Sequence, residues 1–234
     1  MALPTEKTKK EPNYLRKTYL IYGAPKVGKT TTIANLGDDK HKIVFFTTEP
    51  GHKFQEIYKY TTNAGQDPSS WIHFCECAKE LITAQHDFAA IAIDIADDLF
   101  GWCADFVNKK AGIDHESDAG FGKGYAAIRK EFIRPIQALT AKGIGIIFVS
   151  HEKTTDKDMG RKKVSYTDTT LPGTAAKLIH GLSDYILYLH SDVDGKRYIR
   201  TKGTEHFNAG DRSGLLPDQI EMRAEILKQH LIKN

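Results

Sequence analysis

The apolar residues of this chain fall into two alternating patterns. Continuous apolar blocks occur at 18–22 (TYLIY), 43–47 (IVFFT), 88–93 (FAAIAI) and 143–149 (GIGIIFV). Each is too short for a buried helix and rich in β-branched or aromatic residues, so each reads as a strand covered on both faces. Between the blocks, apolar positions recur at helical spacing. A helix over 29–36 stops near Gly37. Trp71, Phe74, Cys75, Ala78, Leu81 and Ile82 share a second helix that Ser69 can cap. Leu99, Cys103 and Phe106 form a stripe that Gly112 ends. Ile128, Phe132, Ile136 and Leu139 lie along a helix over 125–141, with Pro135 as a bend point. Strands that alternate with helices, each strand apolar nearly throughout, imply an α/β fold with a mostly parallel central sheet and helices on both faces.

The remaining segments read differently. Residues 1–17 are a flexible basic N-terminal arm, followed by one domain over 18–234 with no internal repeat and no linker. Residues 113–124 are a glycine-rich loop, and 152–174 are charged and turn-rich. A strand at 185–189 (YILYL), the two-residue hairpin signal Asp194-Gly195 and a strand at 197–201 make a C-terminal β-hairpin extension. An extended loop over 202–216 precedes a last helix carrying Ile220, Ala224, Leu227 and Leu231.

Composition narrows the class. At 234 residues, 40% hydrophobic and 27% charged, the chain can fold around its own core, and a disordered or collagen-like chain is excluded. Three cysteines cannot make a disulfide framework and point to a reducing, cytoplasmic setting. Cys75 and Cys77 diverge on a helix and no second pair exists, so structural zinc is not expected. No apolar stretch is long enough to span a bilayer, and the N-terminus lacks the pattern of a signal peptide, so no membrane partner is expected. A net charge of +3 permits a nucleic-acid partner without demanding one.

The strongest chemical signal is Gly23-Ala24-Pro25-Lys26-Val27-Gly28-Lys29-Thr30, which fits the phosphate-loop pattern G-x-x-x-x-G-K-[ST], with Thr31 following. It follows an expected strand and opens an expected helix, as the mechanics require. Main-chain N–H groups turn inward around phosphate oxygens, Lys29 reaches the β- and γ-phosphates, and the Thr30 hydroxyl binds Mg²⁺. The bland alternative is a glycine turn with an exposed lysine. Asp94 closes FAAIAID, at the carboxyl end of a buried strand, where a carboxylate holds Mg²⁺. Asp94 could cap the next helix instead, but Asp97 and Asp98 are better placed for that. Glu49 follows the second strand and could activate a water aimed at the γ-phosphate, or be a loop glutamate before Pro50-Gly51. Ser150-His151 closes GIGIIFVSH as a polar pair able to sense a γ-phosphate, the alternative being a solvated strand end.

Together these segments resemble the RecA-type branch of P-loop NTPases. More narrowly they resemble phage AAA-domain ATP-binding proteins, a group that includes RecA-like single-strand annealing proteins. The pieces that carry the likeness are YGAPKVGKT (22–30), FTTEPG (46–51), AAIAIDIADDL (89–99), GFGKGYAAIRKEF (120–132), FVSHEK (148–153), LSDYILYL (182–189) and RTKGTEHFNAGDRSGLLP (200–217). The resemblance implies a RecA-like domain that binds ATP and Mg²⁺ and hydrolyses ATP slowly until it assembles or meets DNA. It implies that Glu49 activates water and that Asp94 is the Walker B aspartate. His151 stands where RecA-type proteins often have glutamine. Lys202, with Arg200 and Arg212 as further candidates, falls where related ring and filament ATPases reach into a neighbour's site, so a homo-oligomer is implied.

The run after the sensor strand, 153–163, holds five basic residues, Lys153, Lys157, Arg161, Lys162 and Lys163, with Tyr166 beyond it. By the same resemblance it contacts single-stranded DNA. A charge run is as readily a solvated face. Lys123 and Tyr125 are a weaker second candidate. The expected function is phage DNA recombination, annealing or repair, with a single-strand-binding protein as a possible further partner. Two alternatives stay open: a nucleotide-gated assembly or packaging ATPase without direct DNA contact, and a small P-loop kinase. The kinase should carry an arginine-rich lid, and no such cluster is evident in the sequence.

Overall fold

The apolar blocks become the centre of one sheet. The computed structural model describes residues 6–7, 11–120, 122–158, 160 and 162–233. In chain order the elements are β1 (Thr18–Gly23), α1 (Lys29–Ala34), β2 (Lys42–Thr47), β3 (Tyr58–Lys59), α2 (Trp71–Thr83), β4 (Phe88–Asp94), α3 (Ala96–Ala111), α4 (Lys123–Ala141), β5 (Gly145–Asp158), β6 (Lys163–Thr169), α5 (Gly173–Leu182), β7 (Tyr185–Ser191), β8 (Arg197–Arg200), β9 (Gly210–Asp211), β10 (Gln219–Glu221) and α6 (Ala224–Ile232). The strand order is β10-β8-β7-β1-β5-β4-β2-β3. From β7 to β3 every neighbouring pair is parallel, while β8 and β10 add an antiparallel edge.

Alternation along the strands sorts their side chains into two cores. Leu20, Phe46, Ile93 and Phe148 pack beneath α2 to α5, with Trp71, Phe74, Leu99, Phe132 and Ile179. Tyr19, Ile21, Phe45, Ile147 and Leu187 pack on the other face with Ile33 of α1 and Leu227 and Leu231 of α6. The mostly parallel sheet, the helices on both faces and the C-terminal antiparallel extension are as the pattern implies. Among the described residues, no helix is long and apolar enough to cross a membrane.

Several local readings need correction. The cap of α2 is Ser70, not Ser69, its side chain accepting from the His73 N–H at 3.3 Å. Buried Trp71 opens the helix, so the cap must sit immediately before it. The turn between β7 and β8 is longer than two residues, because Asp192 N–H bonds to Lys196 O and Asp192 caps the loop through its side chain. Ile220 belongs to β10, not to the last helix. Within the glycine-rich loop, Glu116–Ala119 forms a 3-10 turn and α4 begins at Lys123.

The largest departure is the charged segment after residue 151. β5 does not stop at Val149 but runs 14 residues, and its outer half pairs antiparallel with β6 as a long hairpin. Its threonines, Val164 and Tyr166 favour extended backbone. Both faces of the outer part meet solvent, so no apolar period marks the strand.

The end of the expected arm is not free. Tyr14 and Leu15 are 3% and 0% exposed, and the Tyr14 hydroxyl donates to Leu36 O at 2.8 Å. Gly145 makes room for this docking, because a Cβ there would lie 1.7 Å from Leu15 O. Gly145→Ala is therefore expected to destabilise the protein by about 3 kcal/mol, the upper part of the range for overpacking, since the obstacle is backbone. Chemical denaturation measures it, and an unchanged midpoint would show that the arm does not pack there.

Candidate nucleotide site

The chain turns sharply between β1 and α1. Lys26 has φ 64 and Gly28 φ 110, so the backbone curls twice through the left-handed region before α1 begins. At Gly28 a side chain is disfavoured by that φ, and a Cβ would also displace Met222 Cε, which it would meet at 2.7 Å. Val27, 5% exposed, anchors the loop in the core.

Lys29 is 7% exposed and folds over the loop, donating to Gly23 O at 2.9 Å and Ala24 O at 3.0 Å. Its Nζ lies 3.3 Å from His151 Nδ1. Burial pushes the Lys29 ammonium below the usual lysine range, against the opposing pull of Asp94, Glu152 and Glu49. The Thr30 hydroxyl donates to Asp94 Oδ2 at 2.7 Å. Asp94 is 8% exposed, and burial raises its carboxyl pKa although the Thr30 bond and Lys29 oppose the rise. An anion so poorly solvated gains from a cation, so the Thr30–Asp94 pair suits Mg²⁺ as a hydroxyl and carboxylate donor set. Glu49, at the tip of β2, places Oε1 3.6 Å from His151 Nε2.

These groups line one cleft of about 390 Å³. Strand register explains why they meet. Gly23 pairs with His151, Asp94 with Val149, and Thr47 with Asp94, so β1, β4 and β2 end within two residues of one another beside His151 of the continuing β5. Thr48 ties two tips together, its N–H bonding Asp94 O at 2.7 Å and its hydroxyl accepting from Ile95 N–H at 3.0 Å and donating to Asp98 at 2.7 Å. An ammonium, a hydroxyl–carboxylate pair and a second carboxylate around a glycine turn can bind a polyphosphate and position a water beside it.

The chain matches the family described as an AAA domain over residues 15–213. The chain belongs to the AAA-domain family. The match supports a nucleotide-binding ATPase domain, and the turn after β1 carries the phosphate-loop pattern. Among solved structures, one titled as the crystal structure of the RadB recombinase is similar, at 14% identity over 79% of this chain and 80% of that one, with a TM-score of 0.47. No curated protein matches the chain in sequence.

The other expected residues of the AAA domain are placed variously. Ser150 does not face the cleft. Strand alternation turns it to the opposite side, where it is fully buried against the Thr169 and Thr170 hydroxyls. Asp97 and Asp98 do not cap α3, whose N-cap is Ile95; they accept from Thr170 and Thr48. Arg200 donates to His190 at 3.0 Å, Arg212 pairs with Asp184 at 2.8 Å, and exposed Lys202 lies 3.5 Å from Asp218. Arg197, which the motifs do not mark, lines the cleft instead. Its signal was its place: the first residue of a strand returning antiparallel beside β7 lies at the carboxyl edge.

The basic run is not one stripe. Lys157 sits over the Tyr166 ring, and Lys153, Lys157 and Tyr166 share one face of the hairpin. Lys163 faces the other way, paired across the strands with Asp158. Lys162 is bound to Glu205 at 2.9 Å, and Arg161 lies outside the described residues. Lys123 and Tyr125 are exposed in the first turn of α4.

Because its pKa is raised on folding, Asp94 holds a proton more tightly in the folded than in the unfolded chain. Its ionised form thus opposes folding at neutral pH, and that opposition fades as pH falls through the folded pKa. Asp94→Asn is expected to raise the thermal midpoint of the nucleotide-free protein at neutral pH, with the gain shrinking in acid, and to abolish Mg²⁺-dependent nucleotide binding. A lowered midpoint at neutral pH would contradict this account.

Proposed function

We propose that this AAA domain is a Mg²⁺-dependent ATPase of RecA-like build that acts on single-stranded DNA in phage recombination, annealing or repair. The observation that carries the ATPase half is the meeting of Lys29, Thr30, Asp94, Glu49 and His151 where β1, β4 and β2 end beside His151 of β5. The loop amides of 24–28 and Lys29 hold the β- and γ-phosphates, releasing Lys29 from the Gly23 and Ala24 carbonyls. Thr30 and Asp94 would hold Mg²⁺, which when bound neutralises charge on the phosphate oxygens. Glu49 orients the attacking water and accepts its proton. His151, between Lys29 and Glu49, registers the terminal phosphate.

The DNA half rests on the hairpin. One continuous strand, β5, runs from His151 in the cleft to Lys157 near its outer end, so the phosphate site shares an element with Lys153 and Lys157, beside which Tyr166 lies on the paired β6. Lysines neutralise DNA phosphates there, and Tyr166 stacks on a base. The domain assembles as a homo-oligomer, in which exposed Lys202 reaches the neighbouring subunit's phosphates.

Glu49→Gln is expected to keep ATP affinity within a few-fold and to lower turnover by about 10²- to 10⁴-fold, the span of a missing general base. Single-turnover hydrolysis beside equilibrium ATP binding separates the two, and preserved turnover would exclude Glu49 as the base. Reversing Lys153 and Lys157 to Glu together should reduce the salt dependence of single-strand binding by about 1.4 in log–log slope, about 0.7 for each DNA phosphate no longer neutralised. An unchanged slope would move the DNA path off the hairpin.

A further inference from the structure

The phosphate cleft opens into a second pocket that the phosphate-loop motif does not explain. This pocket has a volume of about 260 Å³ and shares Gly28, Thr31 and Arg197 with the first. Its far wall is Met222 and Arg223, which join β10 to α6, and Glu225 in the first turn of α6, all beyond the matched family region ending at 213.

The arrangement of charges decides which way a bound triphosphate points. Glu49, Asp94 and His151, the groups suited to the reacting phosphate, line the first cleft and not the second. Gly28 and Thr31 belong to both. A nucleotide whose γ-phosphate faces Glu49 therefore carries its nucleoside outward past Gly28 and Thr31, and the second pocket lies there. Two side chains distant in sequence converge on this exit. A Cβ on Gly28 would meet Met222 Cε at 2.7 Å and Arg197 Nη1 at 3.4 Å. Their backbones are joined as well, Met222 N–H bonding Arg197 O at 3.0 Å.

We propose that this second pocket holds the nucleoside, with the base packed against the Arg197 guanidinium and the Met222 thioether that line it, as a deepening that rests on the nucleotide-binding reading above. A planar guanidinium stacks on a base face, and a polarisable thioether packs favourably against an aromatic ring. The hydrogen-bonding side chains nearby are partly committed already. Asn35 donates its amide to Thr31 O at 2.8 Å, and Arg223 pairs with Glu221 at 2.7 Å. The pocket therefore holds the base chiefly by its faces. The C-terminal segment completes the nucleotide site from outside the matched domain.

The test uses the full chain and two probes, Mg·ATP and magnesium tripolyphosphate, which has no nucleoside. By isothermal titration calorimetry, Met222→Ala should weaken ATP by about two- to tenfold, the span of a thioether–aromatic contact, and leave tripolyphosphate unchanged. Arg197→Ala should weaken ATP more than tripolyphosphate. On the unaltered chain, photolabelling with 8-azido-ATP followed by peptide mapping should mark Arg197 or residues 222–225, a readout that does not depend on a variant folding. Equal ATP affinity in Met222→Ala, parallel weakening of both ligands, or a label confined elsewhere would each overturn the proposal while leaving nucleotide binding intact. If neither probe binds the unaltered chain, the nucleotide reading itself fails and takes this one with it.

Discussion

The hydrogen bond from Thr30 to Asp94 joins the two halves of this structure. It links the start of α1 after the β1 turn to the tip of β4 across the width of β5, and it forms because β1 and β4 both end beside residues 149–151 of β5. Burial acts in opposite senses on the charged groups flanking it, lowering the Lys29 pKa and raising that of Asp94. Each group tempers the other, and neither is fully solvated. The fold therefore maintains a site that is electrostatically uncomfortable alone and eased by a polyanion with its cation, the usual tension between stability and function.

Around that bond the scaffold is rigid and the accessory parts are peripheral. Thr48 fastens β2 to the start of α3, fixing the direction in which Glu49 leaves the sheet. A second polar network, Asp97–Thr170 with Ser150 and Thr169, fastens the base of the β5–β6 hairpin to the same helix end. The antiparallel edge has a comparable role, since β8 and β10 bring Arg197 and Met222 to the side of the loop opposite the acids.

The sequence was most legible where local chemistry and burial agree. The strands of the parallel core are apolar blocks because both faces are covered, and Asp94 is conspicuous because a carboxylate closing such a block is costly without a role, whereas half-exposed Glu49 reads equally as a loop residue. The hairpin is hidden for the converse reason: with residues 153–158 exposed on both faces, a few threonines, Val164 and Tyr166 are the only signs of strand, and charge dominates the pattern. Tyr14 and Leu15 were hidden because two apolar residues show no period, and only the gap at Gly145 reveals where they go. Ser150 was placed on the wrong side because adjacent polar residues at a strand end look alike in sequence, although alternation sends them to opposite faces.

By itself, then, the sequence determined the family, the phosphate loop and the alternating strand–helix plan, because each is written in short-range pattern. Tertiary structure decided which charges meet. The order of strands sets β5 between β1 and β4, and their register brings residues 29, 49, 94 and 151 within reach of one ligand. The antiparallel return of β8 supplies Arg197, and the docking of the C-terminal segment supplies Met222. Those choices depend on contacts between residues far apart in the chain, which no local spacing encodes.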